Sequence, residues 1–280
     1  MIKVTLKDGS FKEFPKGITV IEAAKEISMG LARVACAARI NGENADLRTT
    51  LETDCNLEIL TFDDEYGRWT FRHTASHILA QAVKRLYPDT KLAIGPAVDD
   101  GFYYDLDTEV KFTPDDLVKI EAEMKKIVKE DLKLERFTKS REEAIEYFEK
   151  LDEPYKVELV RDLPEDAEIG FYSQGEFTDL CAGAHLMSTG MVKAFKLTSA
   201  TGAYWRGSSD NKMLCRIYGT AFPKASLLEE HLERIEEAKR GWQLTKTPYM
   251  AKRELYKLSG HWDHYLAGMF VLGDPEDETK

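Results

Sequence analysis

Residues 69–88 read WTFRHTASHILAQAVKRLYP, and the folding of this stretch decides how the rest of the chain is arranged. At about 100° per residue, Phe71, Ala75, Leu79, Ala82, Val83 and Leu86 make one apolar stripe, so the spacing predicts a helix. Pro88 stops it. His73 and His77 are four residues apart and share a helix face. His73 lies at the edge of the stripe and His77 nearly opposite. A histidine that merely fills a core belongs on the stripe, so these two read as chemical groups; a pair of exposed helix histidines is the plainer alternative.

The same spacing recurs further on. Cys181 and His185 lie in FTDLCAGAH (177–185), a strand running into a glycine-bearing loop. H-x-x-x-H and C-x-x-x-H together supply three imidazoles and a thiol, the ligand set of a tetrahedral zinc site. The same groups suit a metal-free hydrolytic pocket, because imidazole moves protons near neutral pH and a thiol can sense a neighbouring hydroxyl or methyl. Both chemistries stay open on spacing alone.

Around the histidine helix the pattern is mixed. KLAIGPAVDDGFYYDLD (91–107) reads as a Gly-rich loop with strands. Thr113 followed by Pro114 opens a long charged helix to about Asp131, with proline at the first helical position. SREEAIEYFEKL (140–151) is a further helix, and strands are expected around YKVELV (155–160), IGFYSQGEFTDL (169–180) and RIYGTAF (216–222). No βαβ repeat is present, so the fold class is α+β. In front, MIKVTL alternates, DGS turns and FKEF resumes the strand. Thr19 and Glu22 form a capping box for a helix running to Gly30, and short strands follow in ARVACAARING (32–42) and NLEILTF (56–62). Behind, SLLEEHLERIEEAKR (226–240) is an amphipathic helix with i,i+4 charge pairs. Neither a Walker A motif nor G-x-G-x-x-G occurs.

Composition narrows the classes. The chain has 280 residues, enough for about two domains, with 43% hydrophobic and 32% charged residues, an ordinary globular balance. Its apolar runs fall far short of the roughly 18 residues of a membrane span, and the charged, alternating N-terminus is no signal peptide. Cys36, Cys55, Cys181 and Cys215 are scattered and read as reduced thiols of a cytoplasmic protein. The net charge of −11 disfavours non-specific nucleic-acid coating, though not a local RNA-binding surface.

Residues 1–62 resemble a ubiquitin-like β-grasp unit of the TGS type, a module of RNA-associated proteins; a β-grasp adaptor without an RNA role is the plainer reading. The histidine–thiol quartet resembles the editing domain shared by threonyl- and alanyl-tRNA synthetases. AIGPAVDDGFYYDLD, EPYKVELV, FTDLCAGAH and AYWRGSSDNKMLCRIYGTAF (203–222) are similar to the threonyl-tRNA synthetase family of bacterial type. The resemblance implies a TGS domain at 1–62, an editing domain at 63–224, a linker helix at 225–240 and, from PYMAKRELYKLSGHWDHY, an incomplete class II catalytic segment at 241–280. There Pro248 matches the motif 1 proline, and His261 and His264 read as structural.

What the resemblance implies for the site is specific. His73, His77, Lys156 and His185 are the catalytic residues, and Cys181, Asp179 and Tyr104 bind the substrate. The expected reaction is hydrolysis of serine from tRNA(Thr), with no cofactor required. ATP and the catalytic zinc belong to the absent synthetase domain, while zinc at His73, His77, Cys181 and His185 is the alanyl-type alternative. The partner is the acceptor end of serylated tRNA(Thr), with no membrane involved; a homodimer belongs to a full-length protein and is not expected of a fragment. Two residues depart from the family pattern: Ala184 stands where proline is usual, and Ala182 where many members have arginine. Amino-acid activation is not expected without the class II motifs. A non-catalytic tRNA- or partner-binding module is the remaining alternative.

Overall fold

The N-terminal unit is built on a hairpin whose turn needs a glycine. β1 (Ile2–Leu6) and β2 (Phe11–Phe14) pair antiparallel, with Gly9 at φ +83° between them, a conformation that costs glycine little. After β3 (Ile18–Thr19), the capping box of Thr19 and Glu22 starts α1 (Val20–Ile27). α2 (Met29–Val34), β4 (Ala37–Ile40), β5 (Glu43–Ala45), β6 (Thr50–Leu51) and β7 (Cys55–Leu60) follow. The five-stranded sheet has the order β2-β1-β7-β4-β5, and β1 runs parallel to β7 with Val4 opposite Cys55. Val4, Phe14, Val20, Ala24, Leu47 and Leu57 form its core. This computed structural model describes residues 1–244, with side chains to 239.

The second part begins with α3 (Glu65–Leu86), the histidine helix. β8 (Lys91–Leu92), β9 (Ala97–Val98) and β10 (Gly101–Asp107) lead to α4 (Pro114–Glu130), whose Thr113 and Asp116 form a second capping box. β11 (Leu134–Lys139), α5 (Arg141–Lys150), α6 (Pro154–Asp162), β12 (Ile169–Gln174), β13 (Phe177–Leu180), β14 (Ala194–Tyr204) and β15 (Met213–Phe222) complete it, before α7 (Ala225–Leu244). One sheet has the order β14-β15-β10-β8 with β9 also on β10, and an antiparallel sheet has the order β11-β12-β13. The fold is α+β, as the mixed pattern implies.

Three local expectations are corrected. The stretch YKVELV is helix, not strand: Pro154 stands in the first turn of α6 with its φ preset, and Lys156 and Val157 both donate backbone N–H groups to Glu153 O. The helix expected to run from Thr19 to Gly30 ends at Ile27, because Ser28 caps the separate α2 by accepting from Leu31 N at 3.3 Å. The strand expected from Ala32 therefore starts only at Ala37.

The third correction concerns α3. Its residues from Thr70 to Val83 are buried on every face, so the apolar stripe does not separate a wet side from a dry one. α3 packs against α4, β10, β15 and β4 of the N-terminal unit. A long helix enclosed by other elements need not be amphipathic. His73 and His77 are off the stripe and still only 8% and 2% exposed.

The helix expected over 225–240 continues to Leu244. The rest of the segment expected at 241–280, with Pro248, His261 and His264, lies outside the described residues.

Candidate functional site

Five segments bring the site together. α3 supplies His73 and His77, the loop after β13 supplies Cys181 and His185, α6 supplies Lys156, and β10 and β13 supply Tyr104 and Asp179. The metal-capable atoms of His73, His77, Cys181 and His185 all lie within 4.8 Å of one another, and all four residues are buried. The two pairs separated by more than a hundred residues in sequence therefore form one cluster.

The hydrogen bonds assign the proton on two of the imidazoles. His73 Nδ1 faces Gly95 O at 3.0 Å, so Nδ1 carries the hydrogen and Nε2 a lone pair. Thr74 Oγ1 donates to Thr70 O at 2.9 Å and accepts from Leu186 N at 3.0 Å. His185 Nδ1, 3.1 Å away, is then the donor to Thr74, and its Nε2 is also bare. Both bare nitrogens converge on Cys181 Sγ, at 3.0 Å from His73 and 3.2 Å from His185. One S–H proton cannot serve two lone pairs. His77 Nδ1 is buried with no partner. The cluster is thus rich in acceptors and short of protons.

Burial sets the protonation states. It pushes His73 down to about 4 and His77 to about 3, and it pulls His185 well below the usual histidine value. The Cys181 thiol is pushed up to about 12, again by burial. Neutral imidazoles and a protonated thiol follow at neutral pH.

Beside the cluster lies a buried charged trio. Lys156 Nζ is 2.6 Å from Asp179 Oδ1 and donates to Tyr104 Oη at 3.0 Å; Tyr104 in turn donates to Asp179 Oδ2 at 2.5 Å. Burial works to raise the Asp179 carboxyl, but Lys156, His77 and Tyr104 together hold it below the usual value. Glu153 fixes the start of α6: its carboxylate receives Lys84 Nζ at 2.8 Å and Leu92 N at 2.7 Å. A cavity of about 350 Å³, lined by Phe148, Phe177 and Leu92 among others, reaches Lys156 and Asp179.

All seven residues singled out in the sequence are therefore together. Ala184 is buried, and Ala182 is exposed. Sequence reasoning missed several neighbours. Thr74 and Ser76, both buried on α3, hold His185 and the Gly95 carbonyl; Ser76 Oγ donates to Gly95 O at 2.6 Å. The polar run HTASH inside a helix is the signal that could have found them. Trp69 covers His73 at 4.7 Å between ring centroids. Asp46 and Arg48, from the N-terminal unit, reach the His185 backbone, and nothing in local sequence marks them.

The donor set fits zinc chemically. Three nitrogens and a thiol are the soft and borderline ligands that zinc prefers in fourfold coordination, and the bare nitrogens already face the thiol. Metal binding there would require loss of the Cys181 proton.

Residues 2–61 match the TGS domain family, and residues 169–218 match the threonyl and alanyl tRNA synthetase second additional domain. The threonine–tRNA ligase of Acetivibrio thermocellus is 55% identical over 317 residues, covering 96% of this chain and 50% of that protein. Those of Clostridium perfringens and Desulforamulus reducens are each 50% identical, covering 100% and 96% of this chain and 51% and 50% of their own lengths. The chain spans about half the length of the curated relatives it matches. The Clostridium perfringens match extends over 328 positions against 280 residues here, so that relative carries residues inside the matched span that this chain lacks. With a TGS domain, a second additional domain and half-identity along its length to these enzymes, the chain belongs to the threonine–tRNA ligase family.

Proposed function

We propose that this chain is an aminoacyl-tRNA deacylase that hydrolyses the ester of serine wrongly attached to tRNA(Thr). The observation that carries the reading is the buried cluster of neutral histidines and thiol set beside the Lys156–Asp179–Tyr104 trio. Serine is threonine without one methyl group, and a methylene is worth only about 1–3 kcal/mol of discrimination in a binding pocket. A second site that hydrolyses the smaller product and rejects the larger one corrects the error.

Each role follows from chemistry on hand. His73 Nε2, unprotonated because Nδ1 is committed to Gly95 O, accepts a proton from the attacking water. The water oxygen bonds to the ester carbonyl carbon, and the bond to the ribose oxygen breaks. Lys156 stabilises the developing charge and protonates the leaving ribose oxygen. Asp179 and Tyr104 hold Lys156 in place and line the substrate's path. His77 and His185 complete the polar wall that orders water, and Cys181 gauges the side chain. The acceptor end of tRNA(Thr) is the partner, and the TGS unit is a second contact for RNA.

A zinc-dependent deacylase of the alanyl type is the second reading, favoured by the convergence of bare His73 and His185 nitrogens on Cys181. His73, His77, Cys181 and His185 would hold the ion, which would act as a Lewis acid on the ester and its water.

The test is deacylation of seryl- and threonyl-tRNA(Thr) by the chain and by His73→Ala and Lys156→Ala variants, with ATP–pyrophosphate exchange as control. Hydrolysis of the seryl ester, little of the threonyl ester, no exchange, and a loss of ~10²–10⁴-fold in both variants support the proposal. Equal rates on both esters would leave a non-selective esterase, and undiminished variants would move the catalytic groups elsewhere. Binding of tRNA without hydrolysis would leave the non-catalytic module.

A further inference from the structure

The β-grasp unit grips the backbone of one residue of the hydrolytic cluster from both sides. Asp46 and Arg48 flank the core residue Leu47 in the segment between β5 and β6. Asp46 Oδ2 accepts from the His185 backbone N–H at 3.2 Å, and Arg48 Nη1 donates to the His185 carbonyl at 3.0 Å. Arg48 also donates through Nη2 to Leu186 O at 2.8 Å, and through Nε and Nη2 to Leu134 O at 2.9 and 2.6 Å. The two side chains are tied to one another, Arg48 Nη1 lying 3.0 Å from Asp46 Oδ1. Tyr172, whose ring centroid is 4.4 Å from that of His185, donates its hydroxyl to Asp46 Oδ2 at 2.8 Å.

The grip matters because of where His185 sits. The segment from Cys181 to Met187 has no helix or strand to set its course. Its backbone is anchored at Cys181 N to Gly170 O and at Met187 O to Leu134 N. Between those anchors, the bonds at His185 and Leu186 go to Asp46, Arg48 and Thr74. Asp46 and Arg48 have side chains only 11% and 17% exposed, so these charge-assisted bonds compete little with water. Thr74 fixes the His185 ring only if the backbone behind it is already in place.

We propose that Asp46 and Arg48 are positioning residues for the hydrolytic site. In this role the β-grasp unit is a brace: it sets the place of His185 and hence the direction of its bare Nε2 toward Cys181. A mere glue between two domains would give bonds to surface backbone anywhere along the junction. Here two of them clamp His185 from its N–H and its carbonyl, a third holds the next residue, and the other two reach Leu134, whose N–H bonds Met187 O at the end of the same segment. The catalytic consequence rests on the hydrolytic reading above, whereas the bracing of His185 is a property of the protein that can be read without any substrate.

The experiment uses the full chain with Arg48→Met, Arg48→Lys and Asp46→Asn, and Tyr172→Phe as a mild variant that removes one bond to Asp46. Nitrogen-15 spectra of the histidine side chains report tautomer and environment, denaturant unfolding reports folding, and single-turnover deacylation reports the reaction. The expected result for Arg48→Met is a folded protein in which the His185 resonances leave the Nδ1–H tautomer or broaden, while those of His73 keep theirs. The rate on the seryl ester then falls by about 10²-fold, the scale for a misplaced group, with KM little changed, and Arg48→Lys recovers part of both. If Arg48→Met does not fold, Asp46→Asn and Tyr172→Phe carry the same comparison. Unchanged His185 resonances in folded variants would overturn the brace. If the wild type proves inactive, a shifted His185 signal still upholds the brace while the hydrolytic reading falls. Shifted signals with an undiminished rate in an active enzyme would overturn the positioning role.

Discussion

Lys156 Nζ stands 2.6 Å from Asp179 Oδ1, and both side chains are almost wholly out of water, at 4% and 2% exposure. A buried pair of this kind is weak as a source of net stability, because desolvation offsets the attraction, but removing one partner strands the other. Lys156→Met or Asp179→Asn is expected to cost about 3–5 kcal/mol. The double variant should cost less than the two single effects combined. Denaturant unfolding in a double-mutant cycle measures this, and additive losses would mean that the pair is not coupled.

Gly95 is a close-packing position. A Cβ there would lie 2.3 Å from the Tyr104 ring, which is fully buried and cannot swing away. Gly95→Ala is expected to destabilise by about 1–3 kcal/mol through overpacking. It should also displace the carbonyl that holds His73 Nδ1. Unfolding and the His73 side-chain spectrum are the two measurements, and an unaltered protein in both would show that the loop yields freely.

Much of this site was legible in the sequence, and the reasons are physical. Two four-residue spacings, 73–77 and 181–185, mark groups that local geometry keeps together, so each half of the quartet was visible. Capping boxes at Thr19 and Thr113 were visible too, because they depend on residues three apart. What failed were inferences that needed tertiary surroundings. The stripe on α3 implied an exposed face, but neighbours cover every face from Thr70 to Val83. YKVELV alternates like a strand, yet Pro154 and the Glu153 carbonyl start a helix. Asp46 and Arg48 lie more than a hundred residues from His185, and no local pattern announces such a contact.

Acid should unfold the metal-free protein early. His73 and His77 titrate at about 4 and about 3 in the folded chain, against 6.5 for the ordinary side chain, and His185 is lowered as well, all chiefly by burial. The unfolded chain therefore binds more protons than the folded one between those values. Stability from these groups is complete above about pH 6.5 and is lost as pH falls through the window toward 4 and 3, by ~1.4 kcal/mol per pH unit for each such proton. Denaturant midpoints measured from pH 7.5 to 4.5 in chelator should fall steeply, and His77→Gln should flatten the decline. A midpoint independent of pH above 5 would contradict the buried, neutral state of the three histidines.

The last prediction separates the two chemistries of the quartet. With the Cys181 thiol pushed up to about 12, the metal-free cluster keeps its S–H proton at neutral pH, and His73 Nε2 can accept that proton or one from water. Zinc would have to displace the proton, so its affinity should rise tenfold for each pH unit below the thiol value, one proton being released per ion. Hydrolysis through protein groups alone needs no such exchange. Seryl-tRNA hydrolysis is therefore expected to survive exhaustive chelation and to show no zinc by elemental assay of the active protein. Cys181→Ser should then alter the choice between the seryl and threonyl esters more than the rate on the favoured one, because the role proposed for this side chain is to gauge the substrate. Stoichiometric zinc, activity lost to chelator and restored by the ion, and collapse of the rate in Cys181→Ser would together reverse the assignment and make the quartet a catalytic metal centre.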